Sequence, residues 1–262
     1  MYRDLGNRLG EATALNRLGV LLIYTGPYPE AIASQEKALD LYRSLSDPLG
    51  EAAALGNLGT VQSWTGDTRA AAANLARALE LRRKLGDILG EVRALRDLGV
   101  LQTLTGDYHA ASDSFARALK VNRRLRGRLG EAQILTDYGA LQRLTGDYQA
   151  ASANLTSAIE LNRELGYALG EAQALNTAGE LSLELARLSD ARAQHEKARE
   201  IAVAMQSHPE EARALEGIGR CHLREGRRAE GTRSLRQALA IYEKIGSSSA
   251  GRIRRTLDDH NI

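Results

Sequence analysis

A run of Leu-Gly-Glu-Ala returns along this chain every forty residues. It stands at 9–12, 49–52, 129–132 and 169–172, with Leu-Gly-Glu-Val at 89–92. A sixth copy, Pro209-Glu210-Glu211-Ala212, has changed its residues but kept the register. A fixed period of this size is the mark of stacked supersecondary units, each too small to bury its apolar face alone. Such a chain grows by adding layers, so a length of 262 residues does not demand one large core.

Residues 47–86 show what one unit holds. Asp47 is placed to cap a helix, and Pro48 suits the first helical position because its missing donor has no partner there in any case. Asn7, Asp87 and Ser207 are the equivalent caps, with Gly127 and Tyr167 weaker. Ala52, Leu55, Leu58, Gly59 and Gln62 follow at the three-to-four spacing of an amphipathic helix. Thr65-Gly66-Asp67 ends it, since Gly accepts the left-handed backbone and Asp opens the next helix. Thr25-Gly26-Pro27, Thr105-Gly106-Asp107 and Thr145-Gly146-Asp147 repeat that punctuation. Ala71, Leu75, Ala78, Leu79 and Leu81 then carry a second helix to Leu85. Each unit is therefore a helical hairpin, with helices of about 17 residues and about 25 Å.

Gly19, Gly59, Gly99, Gly139, Gly179 and Gly219 fall inside the first helices, where Gly costs about 1 kcal/mol relative to Ala. A costly residue held at one phase implies close approach by the second helix, read here as passing through Ala38, Ala78, Ala118, Ala158, Ala198 and Ala238. Phosphate binding is a poor reading of these glycines, because they lie within helices and not in loops.

The set Leu55, Leu58-Gly59, Gly66-Asp67, Ala71, Leu75 and Ala78 resembles the tetratricopeptide repeat in a forty-residue form, and the resemblance runs through essentially the whole chain. It implies an all-α, right-handed superhelical solenoid of six helix-turn-helix hairpins. The units are 7–46, 47–86, 87–126, 127–166, 167–206 and 207–246, with a C-terminal capping helix in 247–262 and residues 1–262 forming one domain. The first helix of each hairpin would line a concave groove. Two departures are local. Gln35 and His195 replace the apolar residue seen at Leu75, Phe115, Leu155 and Leu235, and the fifth turn, Ala186-Arg187-Leu188-Ser189, lacks Gly-Asp. That hairpin is expected to be looser or to bend the array. Residues 2–6 align with the end of a second helix, at 42–46, which reads as a fragment of a longer protein; a natural start with a vestigial cap is the alternative. In the cap, Arg255 stands where earlier copies carry Leu.

Composition removes several functions. The net charge of +2 is small and interspersed, so no direct nucleic-acid binding is expected. Cys221 is the only cysteine, which forbids an intrachain disulfide and fits a reducing cytoplasm. The first residues hold no apolar run of a secretory signal, and no stretch approaches the roughly 18 apolar residues of a membrane helix. The five histidines lack metal-ligand spacing, no P-loop is present, and no nucleophile sits beside a base. No enzyme activity, cofactor or metal is expected, and the location is read as cytoplasmic.

Comparison of the copies separates scaffold from surface. The phase Leu15, Leu55, Leu95, Leu135, Leu175, Leu215 never changes, whereas the 13/16/20/24 phase varies and makes one stripe on the first helix. On that stripe Tyr24 and Trp64 fall at one phase, as binding anchors or as fillers of their own turns. Arg93, Arg96 and Arg143 are candidates to meet the carboxylates of an acidic peptide, with Asn57 holding its backbone; neutralisation by Asp97 and Asp137 is the rival reading. Asn176, Arg213, Arg220 and Arg224 complete the candidate groove residues.

The pattern resembles the C-terminal arrays of actinobacterial signal-transduction ATPases and antibiotic-regulatory transcription factors. It implies a protein- or peptide-binding module that senses a ligand and acts on other domains of its own full-length chain. Two alternatives are a scaffold that self-associates through apolar surface at Leu15, Leu18 and Leu22, and a receptor for a peptide pheromone.

Overall fold

The computed structural model describes residues 7–259, and every regular element among them is an α-helix. The reading of residues 2–6 as the end of a helix lies outside the described residues. Two compact units are present. The first, Met1–Leu125, pairs α1 (Arg8–Thr25) with α2 (Tyr28–Ser44), α3 (Pro48–Thr65) with α4 (Thr68–Leu85), and α5 (Ile88–Thr105) with α6 (Tyr108–Arg124). The second, Arg126–Ile262, pairs α7 (Arg128–Leu144) with α8 (Tyr148–Glu164), α9 (Ala168–Glu184) with α10 (Leu188–Ala204), and α11 (His208–Arg224) with α12 (Arg228–Ile245). Helix α13 (Ser249–Asp259) follows. Within each unit consecutive helices pack together, and each first helix also touches the first helix of the next hairpin. This is the solenoid expected of the repeat.

Side chains and turns set the helix ends as the sequence implies, with exceptions. Asn7, Asp47 and Asp87 accept from the N–H of Gly10, Gly50 and Gly90, while Asp67, Asp107 and Asp147 cap the second helices in the same way. Ser207 makes no side-chain cap bond. The fifth turn is not loosened. Ala186 takes the left-handed conformation at φ 57°, and the Arg187 N–H reaches the Ser182 carbonyl at 2.9 Å, as Asp147 reaches Gln142 at 2.9 Å. What the changed sequence loses there is a cap, since Arg187 supplies none to α10.

The mid-helix glycines do mark a close approach, but not through the alanines. A Cβ on Gly59, Gly99, Gly139, Gly179 or Gly219 would come within 2.6–2.9 Å of Leu75, Phe115, Leu155, His195 or Leu235. The partner is thus the large residue three positions before each alanine. Ala38, Ala78 and their equivalents are fully buried alongside it. The glycine of the Leu-Gly-Glu-Ala motif has a separate reason. Gly50 lies against Tyr42, Gly90 against Arg82 and Gly170 against Asn162, each from the preceding second helix. Where Glu210 replaces that glycine, the counterpart is Ala202, so bulk has moved from one side of the contact to the other. The motif's glutamate ties the same joint, through Arg43–Glu51 at 3.1 Å, Arg83–Glu91 at 2.8 Å and Arg163–Glu171 at 2.6 Å.

Helix α13 buries Ala250, Ile253 and Leu257 and leaves Arg252, Arg254 and Arg255 on its exposed side.

Candidate functional site

In the first unit the variable phases lie along α1, α3 and α5. Tyr24 and Trp64 are half-buried near the ends of α1 and α3, and Leu104, at the same phase of α5, is 57% exposed. Trp64 packs on Tyr28, the first residue of α2, with ring centroids 5.6 Å apart and planes tilted by 46°. Trp64 therefore reaches across to the preceding hairpin, while Tyr24 and Leu104 hold the same phase of α1 and α5. Two turns before Trp64 on α3, the Asn57 side-chain amide donates to Asn16 Oδ1 at 2.9 Å, which joins neighbouring hairpins by a polar rung.

The arginines of this unit differ in kind. Arg96 lies 3.5 Å from Asp97, a carboxylate only 9% exposed. Burial pushes the Asp97 carboxyl up, against the pull of Arg96, Arg93 and Arg82. Arg93 is exposed and forms no hydrogen bond or ion pair within the described residues. The pair Arg96–Asp97 is accordingly part of the fold, and Arg93 stays exposed outside it.

The equivalent face of the second unit is closed by its own charges. Arg143 from α7 pairs with Glu180 of α9 at 3.0 Å and also with Glu184. Arg213 from α11 donates to Glu180 at 2.8 Å and to the Thr177 hydroxyl at 2.9 Å. Burial opposes ionisation of Glu180, but the Arg213 and Arg143 guanidiniums outweigh it and hold the carboxyl down at about 2. Asn176 donates to the Glu210 carboxylate at 2.9 Å, and Arg224 donates to the Leu183 carbonyl at 2.7 Å. Glu216, 5% exposed, takes Arg252 of α13 and the Tyr242 hydroxyl. Arg220 is half-buried among these groups. Arg143, Asn176, Arg213 and Arg224 are thus consumed by cross-hairpin bonds.

The two polar substitutions of the core find matching partners. Gln35 donates to the Asn16 backbone carbonyl at 3.0 Å, and His195 Nδ1 bonds to Asn176 Oδ1 at 3.1 Å, each nineteen residues back. His195 is wedged between Gly179 and Gly217, so its ring has backbone on both sides. Burial pushes the imidazole down, against the pull of the Glu180 charge, to about 4. At that value the ring is neutral, and Nδ1 carries the proton given to Asn176.

Glu180 and Glu216 fall on the variable stripe of the first helices, but neither they nor Tyr28 or Glu210 were among the candidate site residues. A signal existed for the carboxylates: Arg143 and Glu184 are opposite charges about one period apart, the separation at which neighbouring first helices face each other. Tyr28 carried none. Among the described residues no cluster of three or more His, Cys, Asp or Glu is arranged for a metal ion, and no helix is long and apolar enough to cross a membrane.

The family model described as tetratricopeptide repeat matches residues 10–84 and 90–164. No curated protein matches the chain significantly. A crystal structure of a Rap protein complexed with competence and sporulation factor is similar at a TM-score of 0.72 and 16% identity, covering 95% of this chain and 74% of that one. BtubC from P. vanneervenii is similar at a TM-score of 0.61 and 18% identity, over 81% of this chain and 89% of that one. A Signal Transduction ATPase with Numerous Domains, carrying a tetratricopeptide repeat sensor and coming from Pyrococcus horikoshii, is similar at 0.60 and 13% identity. That match covers 89% of this chain but 38% of the ATPase. At these identities the likeness is one of fold.

Proposed function

This chain belongs to the tetratricopeptide repeat family, whose arrays are interaction modules, and we propose that its first unit binds a protein or peptide segment on the face of α1, α3 and α5. The module would act as the sensor of a larger bacterial signalling or transcription-regulatory protein. One observation carries this reading: Tyr24, Trp64 and Leu104 stay partly open near the ends of α1, α3 and α5, and Arg93 lies exposed on the same face of α5 about 16 Å from Leu104 along the axis, whereas the matching face of the second unit is bonded to itself. Trp, Tyr and Arg are the residue types enriched among the anchors of such interfaces. A Rap protein held with its factor, and an ATPase whose array is called a sensor, support a ligand-sensing reading by analogy of fold.

Trp64 is the only tryptophan, so its emission reports on this face without a label. A pull-down from bacterial lysate by the wild type is compared with Trp64→Ala and Arg93→Glu, each checked for unchanged helical circular dichroism. Arg96 is left intact because its loss would strand Asp97. Each substitution is expected to weaken capture about tenfold or more, the scale of a hot spot, and the captured ligand should shift Trp64 emission. Equal recovery by all three proteins would remove the reading.

A second reading, self-association through α1, is favoured by a comparison of hairpins. Leu18 and Leu21 are 45% and 58% exposed, while their equivalents Leu58 and Val61 are 4% and 0% exposed. Leu15 and Leu22 are half-buried, so the apolar surface is centred on Leu18 and Leu21. Sedimentation velocity should show a concentration-dependent dimer that Leu21→Glu abolishes; a monomer at all concentrations would exclude it.

A further inference from the structure

The repeat makes each copy a control for the others. The side of α12 opposite the buried Leu235 and Ala238 differs in charge from its counterparts on the other second helices. Each of those five carries at least one carboxylate there, among them Asp40, Glu80, Asp113, Glu160 and Glu200. In the second and fifth copies it answers a basic neighbour, through Arg77–Glu80 at 2.7 Å and Lys197–Glu200 at 2.8 Å. In the sixth, Ala240 stands where Glu80, Glu160 and Glu200 stand, and Arg228, Arg233 and Arg236 line one open trough that holds no Asp or Glu. Arg233 and Arg236 are exposed and form no hydrogen bond or ion pair within the described residues; Glu230, three residues before Arg233, makes no bond to either. Like charges three apart on a helix repel, and Arg228 opens α12 at the end that disfavours a cation. The fold gains no bond from Arg233 or Arg236 in return.

We propose that this side of α12 docks an acidic α-helix of a partner protein. Charge complementarity selects the sign of the partner, and geometry selects its shape. Ala229, Thr232 and Ala240 keep the surface low around the arginines, so a helix can lie along α12 at the roughly 8–10 Å of packed helices. Carboxylates three or four apart on that helix fall at about the 5–6 Å that separates Arg233 from Arg236. A guanidinium takes a carboxylate through two parallel bonds, which favours a planar acid over a diffuse negative field. A nucleic-acid strand is the poorer fit. Its affinity comes from many phosphate contacts along the backbone, about six to ten in a typical case. Here three arginines span about 12 Å on a chain of net charge +2. The surface is separate from the face of α1, α3 and α5 and does not depend on the reading of that face.

The probe is a capped Ala/Gln peptide of about 18 residues, long enough to hold a helix, with Glu at three-to-four spacing along one side. It is titrated into the full chain at low salt and followed by backbone amide chemical shifts. Saturable movement centred on residues 228–240 is expected, with an affinity that falls as salt is added. Arg233→Ala/Arg236→Ala, checked for unchanged helical circular dichroism, should weaken binding by about tenfold or more. Ala240→Glu restores the carboxylate of Glu80 and Glu160 and should also weaken it, by pairing with Arg236. The same peptide with a central Pro cannot stay helical and should bind less tightly than the intact one. Absence of movement in 228–240 would overturn the proposal, as would equal binding by the wild type and the double variant. Equal binding of the Pro peptide, or tighter binding of an oligo-dT of matched charge, would overturn the helical partner.

Discussion

Glu180→Ala is expected to destabilise the second unit by about 3 kcal/mol, the low end for breaking a buried ion pair. The low end applies because the Glu180 side chain keeps 18% of its exposure and Arg143 and Arg213 keep secondary partners in Glu184 and Glu210. The loss comes less from the attraction removed than from two guanidiniums left desolvated on one face. Urea unfolding followed by helical circular dichroism measures it. The cycle through Arg213→Met and Glu180→Ala/Arg213→Met decides the cause. If the charges are coupled, the double variant should lose clearly less than the sum of the singles. Strict additivity would mean that Glu180 acts through packing alone.

A second large effect is expected on acidification. The folded His195 pKa, about 4, lies below its ordinary 6.5. As pH falls below 6.5 the unfolded chain takes up the proton first, while the folded ring stays neutral until about 4. Stability is therefore complete above pH 6.5 and is lost progressively as pH falls toward 4, by about 2 kcal/mol at pH 5. Glu180 acts in the same direction but lower, since its stabilisation is lost as pH falls from 4.5 toward 2. Comparing urea midpoints at pH 7 and pH 5 isolates the histidine. His195→Leu, which restores the residue of Leu155 and Leu235, should remove most of the drop between those two values. An unchanged pH response in that variant would show that another group is responsible.

The repeat length, the helical hairpins and the Gly-Asp turns were legible because each depends on residues within one forty-residue period. The need for mid-helix glycine was legible for the same reason, as Gly59 and Gly99 recur at a phase where Gly is costly. Its partner was not. Whether Ala78 or Leu75 meets Gly59 depends on the rotation of α4 about its axis, and residues three apart on a helix share one face. The candidate site was legible in part. Variation between copies marked the stripe holding Trp64 and Arg93, but it marked Arg143 and Arg213 equally. Only the pairing with Glu180 distinguishes a cation available to a ligand from one already spent on the fold.

Sequence by itself thus determined the class of this protein: an all-α array whose period, helix ends and small-residue positions follow from local pattern and backbone preference. Tertiary structure alone decided how the copies differ in use. It buried His195 between Gly179 and Gly217, joined Arg143 to Glu180, leaned Trp64 on Tyr28 and left a space beside Ala178. Each of these joins residues 16 or more apart or depends on volume left between three helices. Such contacts are fixed by the stacking of whole hairpins, where side chains that look alike along the chain meet different neighbours.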